Sequence, residues 1–220
     1  MNRYSRERPS PRYARLLSHY RRMHEAGDLQ LGIPSALTFP GKSLPPQAAH
    51  IKRLVDMTGS RTVLDYGAGK GLQYRPAVFR DEDGIAHESI PAWWGVEIRC
   101  HDPGYAPFSA RPEGRFDGVI STDVLEHCPE EDIAWVLGEI FGFAKRFVFA
   151  SVACFPAAKH LPNGQNAHCT VKPMTWWRAM IEEAAAGSPA VLYEFRLASN
   201  RRGPQGLTRI EQVLSNAGSR

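Results

Sequence analysis

Arg61-Thr-Val-Leu-Asp65 runs directly into Tyr66-Gly-Ala-Gly-Lys-Gly71, and this stretch carries the most information about the fold. Its first part is a short β-branched run that ends in an acid, which is typical of a buried strand. The glycines at alternate positions let the backbone pass close to a bound ligand, where a Cβ atom would collide. The stretch therefore predicts a strand followed by a ligand-binding loop.

The rest of the chain alternates between strand-like and helix-like segments. Further strands are predicted at about 94–101, 116–121, 146–152 and 190–198. Helices are predicted at about 12–27, 46–58, 129–144 and 173–186. Strands that alternate with helices pair in parallel through right-handed crossovers. We therefore predict an α/β fold, a three-layer Rossmann-like domain with a mostly parallel sheet and ligands beyond the carboxyl ends of its strands.

The composition is that of an ordinary globular protein. The 220 residues are 43% hydrophobic and 23% charged, which suits one domain with a real core. We expect a basic N-terminal segment with a helical lid over 1–45, a ligand-binding domain over 46–200 and a C-terminal tail over 201–220. No apolar run reaches the length of a membrane helix, and the start lacks the apolar core of a secretory signal. We therefore expect a cytoplasmic protein.

The cysteines do not favour a metal site. Cys100, Cys128, Cys154 and Cys169 form no CxxC pair, whereas a zinc site needs several ligands at tight spacing. Most of them lie in apolar or strand-like contexts, where a reduced, buried thiol is expected. We therefore expect no bound metal.

Asp65 indicates the charge of the ligand. It stands two residues before Gly67, and Leu72 occupies the position where a dinucleotide-binding GxGxxG loop has its last glycine. A carboxylate at this point would repel a pyrophosphate but suits an ammonium group. S-adenosylmethionine carries an ammonium and a sulfonium group and has no phosphate. The loop therefore favours S-adenosylmethionine over NAD or NADP, and a glycine-rich turn without a ligand is the alternative.

Two stretches resemble motifs of a known family. Val63–Gly71 is similar to the first motif of the Rossmann-like (class I) S-adenosylmethionine-dependent methyltransferases, and Phe116–His127 is similar to their fourth-strand motif. Its ending, Val-Leu-Glu-His, is common in the small-molecule branch of that family. The resemblance covers roughly residues 50–155. It implies a methyltransferase domain in which the cofactor is held by Asp65, Tyr66, Gly67, Ala68, Gly69, Gly71 and Asp123.

The family also has an acid at the end of its second strand, where a carboxylate accepts hydrogen bonds from both ribose hydroxyls. Asp102, before the turn at Pro103-Gly104, is our candidate, and Glu97 within the same predicted strand is the rival. The chain departs from the family pattern by an insertion around 81–84. It also departs over 102–116, which is too short for a helix and a third strand, so the domain is abbreviated there. We assign no residue to the adenine.

Candidates for acceptor chemistry follow the predicted strands at 116–121 and 146–152. His127 is the natural general base because its unperturbed pKa lies near physiological pH. Its alternative role is to orient the helix start at Glu130–Asp132. The polar loop over 157–170 carries further candidates for contact with an acceptor: His160, Asn163, Asn166 and His168. His168 is the second candidate catalytic residue, and bracing of the loop is its alternative.

We therefore predict an enzyme that transfers a methyl group from S-adenosylmethionine to a small-molecule or glycan-like acceptor by in-line displacement. The alternative is an RNA or protein methyltransferase, which the seven arginines among the first 22 residues suggest. Against it, Ser121-Thr-Asp-Val124 stands where amino-methylating nucleic-acid enzymes have Asn/Asp-Pro-Pro-Tyr/Phe. A catalytically inactive cofactor-binding or scaffold domain is a further alternative. The sequence identifies neither the acceptor nor the oligomeric state.

Overall fold

The computed structural model describes residues 3–29, 31–81, 83–203 and 206–218. Its helices are α1 (Pro11–Ala26), α2 (Ala48–Thr58), α3 (Ile90–Trp94), α4 (Ile133–Phe143) and α5 (Met174–Ala186). Its strands are β1 (Thr62–Tyr66), β2 (Phe79–Arg80), β3 (Ala86–His87), β4 (Glu97–His101), β5 (Phe116–Thr122), β6 (Ala144–Ala153), β7 (Leu192–Gly203) and β8 (Gly206–Ser215). Among the described helices, none combines the length and the apolarity that crossing a lipid bilayer requires.

The described residues form a main sheet of six strands in the order β4-β1-β5-β6-β7-β8. Its neighbouring strands pair in parallel, except that β8 pairs antiparallel with β7. The strand order reverses at β1, where Asp65 pairs with Cys100 of β4 on one side and with Ile120 of β5 on the other. The crevice beyond the carboxyl end of β1 is therefore the topological switch point, where such sheets bind ligands. The predicted α/β fold with a mostly parallel sheet is confirmed.

Helices cover both faces of the sheet. Because successive strand residues point to opposite faces, Val63 packs in a buried cluster with α2 and α3 that includes Ile51 and Trp94. Leu64 belongs to a second cluster with α4 and α5, which includes fully buried Trp177. These two clusters make the domain three-layered. They also assign Trp177 to core packing.

The N-terminal segment is fastened to the domain ahead of α1. Ser10 caps α1 by accepting a hydrogen bond from the Tyr13 amide, and its own amide donates to Asp132 Oδ1 at 3.0 Å. Arg6 forms an ion pair with Glu139 on α4. Leu16 and Met23 of α1 are buried in a small third cluster. The N-terminal segment is therefore packed against the domain.

The structure corrects several predicted boundaries. The segment expected as a tail over 201–220 is instead strand: β7 extends to Gly203, and Gly206–Ser215 forms β8. The long β7 offers an unpaired edge, and the following segment satisfies its backbone groups by pairing with it. The strand predicted from 94 begins only at Glu97, because α3 occupies the residues before it. Residues 1, 2 and 30 of the N-terminal segment, and 204, 205, 219 and 220 of the predicted tail, lie outside the described residues.

The structure also shows what the two segments that differ from the family pattern, 81–84 and 102–116, form. The insertion is the turn of the β2–β3 hairpin, in which Phe79 pairs with His87; Glu82 within it lies outside the described residues. After β4, a short 3-10 turn over Ala106–Phe108 leads on to β5. All residues between β4 and β5 are described, and none of them is in a strand. The abbreviation around the third strand is confirmed.

Candidate functional site

A cavity of about 990 Å³ opens at the carboxyl end of the parallel strands. Most of the predicted site residues contribute to its lining: Asp65, Tyr66, Gly67, Ala68, Gly69, Asp102, Asp123, His127 and His168. Gly71 and Glu97 are not among the lining residues. Glu97 is exposed and pairs with Thr62 at the amino end of β1, so it lies at the other end of the strands from the cavity.

The glycine loop is tied to the end of β4. The amides of Gly67 and Ala68 donate to the carbonyl oxygen of His101 at 2.8 and 3.1 Å. Gly67 has a φ of +91°, and a Cβ atom there would lie 2.4 Å from Val124. Gly71, with a φ of +64°, starts the turn that follows the loop. The turn and its packing therefore require glycine at positions 67 and 71, whether or not a ligand is bound.

Asp65 is a buried carboxylate at the carboxyl end of β1. Its Oδ2 accepts hydrogen bonds from Tyr74 Oη at 2.7 Å and Gln73 Nε2 at 3.1 Å. Burial, with a smaller contribution from the negative charge of Asp102, raises the pKa of Asp65 to about 7. The amide oxygen of Gln73, Oε1, is buried and makes no hydrogen bond to the described residues. Two hydrogen-bond acceptors therefore stand side by side at this part of the cavity.

Asp102 follows β4 directly and closes the glycine loop. Its Oδ2 accepts from the Gly69 amide and its Oδ1 from the Gly104 amide, both at 2.8 Å. Burial raises the pKa of Asp102 to about 6. A carboxylate has about four lone-pair directions, so these two bonds leave acceptor capacity toward the cavity. The structure thus places Asp102, and not Glu97, beside the loop.

Gln73 and His24 are cavity residues that the sequence analysis did not assign to the site. The ring of His24, near the end of α1, is stacked between Phe39 and Tyr105, with centroids 4.2 and 4.9 Å away. Its Nδ1 is buried and has no hydrogen-bond partner among the described residues. Burial, and then the positive charge of Lys70, lower the pKa of His24 to about 4. No spacing rule points to it, because the contact depends on how α1 folds back over the sheet.

His127 follows β5 in a short 3-10 turn and faces the cavity. Its Nδ1 lies 2.8 Å from the carbonyl oxygen of Ala167 and 2.8 Å from Tyr20 Oη. Because a carbonyl oxygen can only accept, Nδ1 carries the proton and Nε2 keeps a lone pair. Burial lowers the pKa of His127 to about 4, so the ring is neutral at physiological pH. This corrects the expectation from the sequence that the pKa of His127 lies near physiological pH. Within the described residues, the hydrogen bonds of this ring go to Ala167 and Tyr20, and none goes to the Glu130–Asp132 turn.

His168 is arranged in the same way on the loop after β6. Its Nδ1 lies 2.6 Å from the carbonyl oxygen of Phe155, so in the neutral ring the lone pair is on Nε2. The centroids of the His127 and His168 rings are 4.9 Å apart. Asn166 braces the loop through both polar atoms on Ala157. Of the four polar loop residues named from the sequence, His168 is the one that lines the cavity.

Two acidic residues flank the imidazoles. Asp123 has a left-handed φ of +61°, and its Oδ1 lies 3.9 Å from His168 Nε2. Glu126 is fully buried; its Oε1 accepts from the Ala153 amide, while its Oε2 makes no hydrogen bond to the described residues. Burial, and then the negative charge of Asp123, raise the pKa of Glu126 well above its ordinary value.

The last two strands contribute charged residues to the cavity wall. Arg196 of β7 forms ion pairs with Glu194 and with Glu211 of β8. Arg209 of β8 also lines the cavity, and its guanidinium lies 5.7 Å from the centroid of the Phe155 ring. The segment expected to be a tail is therefore part of the site.

No protein-family model matches the chain, and neither does any curated protein sequence. Solved structures with a similar fold include magnesium protoporphyrin IX methyltransferase from Synechocystis PCC 6803 with bound SAH, at 14% identity, 91% coverage of this chain, 94% of that chain and a TM-score of 0.48. Another is 1,6-didemethyltoxoflavin-N1-methyltransferase from Burkholderia thailandensis, at 17% identity, 93% and 88% coverage and a TM-score of 0.48. An O-methyltransferase family protein from the same organism has 13% identity, 92% and 67% coverage and a TM-score of 0.47. Similarity at this level does not indicate which cofactor or acceptor this chain takes.

Proposed function

We propose that the protein is an S-adenosylmethionine-dependent methyltransferase that acts on a small-molecule or glycan-like acceptor. One observation carries the proposal: a single cavity is lined by the acidic group of the glycine loop, the acid after β4 and two imidazoles with free Nε2 atoms. The first two suit a cationic nucleoside, and the imidazoles suit an acceptor that must lose a proton.

The residues present fit this cofactor. Asp65 and the unpartnered Oε1 of Gln73 would accept hydrogen bonds from its ammonium group, and Asp102 would accept from its ribose hydroxyls. When bound, S-adenosylmethionine supplies a methyl group on a positively charged sulfur; the lone pair of the acceptor forms the new bond to carbon, and the electrons of the C–S bond remain on sulfur. His127 would take the proton of the acceptor at Nε2, with His168 beside it.

A small acceptor agrees with the size and chemistry of the cavity. Ligand pockets usually span about 300–1,000 Å³, so this cavity has room for the cofactor and a compact second substrate. Several arginines of the basic N-terminal segment are engaged within the protein; for example, Arg6 pairs with Glu139, and Arg12 donates to the carbonyl oxygen of Cys169. This engagement weakens the argument for an RNA acceptor.

Calorimetric titration tests the cofactor directly. We expect micromolar binding of S-adenosylmethionine and S-adenosylhomocysteine, and no binding of NAD or NADP. Incubation with methyl-labelled cofactor and a metabolite extract, RNA or protein then separates the acceptor classes. Label in the RNA or protein fraction would replace the small-molecule proposal, and cofactor binding without transfer to any fraction would indicate an inactive binding domain.

Exchange of Asp102 for alanine is expected to weaken cofactor binding more than exchange of Glu97. The loss of hydrogen bonds to a charged acceptor costs about 1.5–3 kcal/mol, whereas Glu97 is exposed at the other end of the strands. Calorimetry on both variants measures the difference. Because Asp102 also holds the Gly69 amide, thermal unfolding is recorded alongside. A larger loss of affinity in the Glu97 variant would assign the ribose to Glu97.

The affinity for S-adenosylhomocysteine is expected to fall as the pH is lowered from 8 to 6. The pKa of Asp65 is about 7 in the free protein, so below that pH the ammonium group must displace a proton before it can pair with the carboxylate. The affinity then falls by up to about tenfold per pH unit below the pKa. The neighbouring phenol of Tyr74 and thiol of Cys100 stay neutral in this range because burial raises the pKa of each, that of Cys100 to about 12.

The matched control for this pH dependence is Asp65→Asn, which keeps the shape of the side chain and removes its titration. Asp102, whose pKa is about 6, is unchanged in this variant and reports its own smaller contribution at the acidic end. We expect weaker binding with a much flatter pH dependence. An equally steep dependence in Asp65→Asn would show that another group titrates, and Asp65 would lose its assigned role.

A further inference from the structure

Three side chains of the kinds that bind metal ions lie close together in the part of the cavity beyond β5 and β6. Asp123, His127 and His168 each place one potential ligand atom within 4.8 Å of those of the other two. They come from the turn after β5 and from the loop after β6, so the chain brings them together only on folding. The expectation of no metal came from cysteine spacing, and a site made of histidines and a carboxylate has no such signature in this sequence.

Both imidazoles are oriented as metal ligands usually are. A histidine that binds a metal through one ring nitrogen commonly donates the other N–H to a backbone carbonyl or a carboxylate. His127 donates from Nδ1 to Ala167, and His168 donates from Nδ1 to Phe155. Each ring is thereby fixed in the tautomer that leaves Nε2 free. Because both rings are already held in place, a metal ion would bind without the entropic cost of ordering them.

The backbone at Asp123 adds a second, independent observation. Non-glycine residues with a left-handed φ are uncommon and concentrate at functional sites. Asp123 holds this conformation while its amide donates to the carbonyl oxygen of Ser151 at 3.2 Å. Its carboxylate is half exposed and lines the cavity, where it can adjust.

The neighbouring Glu126 is a further buried carboxyl group at this part of the cavity. It is fully buried and lines the same cavity, and its Oε2 makes no hydrogen bond to the described residues. A water molecule bound to an ion in the cavity would give this oxygen a hydrogen-bond partner. Lys159, whose positive charge contributes to the lowered pKa of His127, forms an ion pair with Asp28 at 3.3 Å.

We propose that Asp123, His127 and His168 bind one divalent first-row transition-metal ion and leave coordination positions open for an oxygen of the acceptor. Imidazole ligands suit zinc, iron, nickel and copper, while carboxylate oxygens also suit manganese. Ligand bonds of about 2.0–2.2 Å bring donor atoms on one ion to within about 4.4 Å of each other. The potential ligand atoms, all within 4.8 Å of one another, are therefore close to the spacing that one ion requires.

The role of the ion, though not its binding, rests on the proposed methyl transfer. With an ion in place, His127 Nε2 holds the metal instead of taking the proton itself. An acceptor hydroxyl bound to the ion has a lowered pKa and releases its proton to solvent, which leaves an oxygen lone pair for attack on the methyl carbon. The acceptor class that fits is an alcohol, a phenol or a hydroxy acid.

Titration of the metal-stripped, full-length protein with Co²⁺ tests the site. We expect one ion per chain by calorimetry, together with the visible absorption bands of nitrogen-ligated Co²⁺, and competition by Zn²⁺. His168→Ala should weaken binding by about 10- to 100-fold or more. Asp123→Asn is the second variant, because asparagine tolerates the left-handed φ and removes the charge. His87→Ala is the matched control, since His87 also pairs with an aspartate, Asp81 at 2.8 Å, but lies outside the cavity lining.

The results separate this proposal from the proposed function. S-adenosylhomocysteine binding is measured in EDTA on the same preparations, where it should be unchanged by metal removal. Metal binding that is lost in His168→Ala and Asp123→Asn but kept in His87→Ala supports the site, whether or not the cofactor binds. No binding of Co²⁺ by the wild type, or equal binding by all of the variants, would overturn it. Failure of S-adenosylhomocysteine to bind would instead overturn the proposed function.

Discussion

Gly69→Val is expected to weaken S-adenosylmethionine binding by about 100-fold or more. Gly69 has a φ of +59°, and a Cβ atom there would lie 3.2 Å from Phe39 Cβ. A valine would therefore be pushed toward Phe39 or into the cavity, and overpacking of this kind costs about 1–3 kcal/mol in a well-packed site. The same change removes space that the ligand needs. Each 1.4 kcal/mol is about a tenfold change in affinity.

The control for Gly69→Val is Gly84→Val. Gly84 also has a left-handed φ, +78°, but no atom lies within 4 Å of its ideal Cβ position. Both variants carry the backbone strain of a β-branched residue in this region, roughly 1–2 kcal/mol. Gly84→Val should therefore lose only the stability that the backbone strain costs, and it should bind the cofactor normally. If folded Gly69→Val protein binds S-adenosylhomocysteine as tightly as the wild type, the glycine loop is not the cofactor site.

His127→Ala is expected to lower turnover on the true acceptor by about 10²- to 10⁴-fold, the usual cost of losing a general base. Cofactor affinity should stay nearly constant, because the ring faces the acceptor part of the cavity and not the glycine loop. Its hydrogen bond to the carbonyl oxygen of Ala167 is also lost, which costs about 1 kcal/mol of stability. Turnover, calorimetry and thermal unfolding are measured on one preparation.

His160→Ala is the comparison for His127→Ala, since His160 lies on the loop after β6, is exposed and does not line the cavity. The His160→Ala variant should have the same turnover rate as the wild type. If His127→Ala melts earlier but keeps full specific activity, His127 is structural, and His168 becomes the next candidate base. Assays with metal-stripped and Zn²⁺-loaded wild type distinguish a direct base from a metal ligand, because a direct base works in EDTA.

The central part of the fold is predictable from the sequence because its determinants are local. The run that ends in Asp65 and the alternate glycines identify β1 and its loop, and helix–strand alternation then predicts a parallel sheet. Asp102 could be named for a similar reason, since it precedes a Pro-Gly turn. The ends of helices and strands were less predictable. The β propensity of Trp94 predicts a strand, but the residue belongs to α3 and is buried in the core.

The remaining features depend on contacts between distant parts of the chain. His24 reaches the cavity because α1 is anchored ahead of its first turn. Gln73 becomes a site residue through its contact with Asp65. The pairing of His127 with His168 requires the loop after β6 to fold back across the end of β5. No periodicity or spacing in the sequence predicts these contacts, since each depends on tertiary packing.

The hairpin of β7 and β8 has an evolutionary consequence. It brings Arg209 and Glu211 into the cavity wall, whereas the glycine loop and Asp102 come from the first half of the chain. Substitutions in β7 and β8 can therefore reshape this wall of the cavity without touching the residues that we propose for the cofactor. Under selection for a different acceptor, we expect β7 and β8 to change faster than the glycine loop.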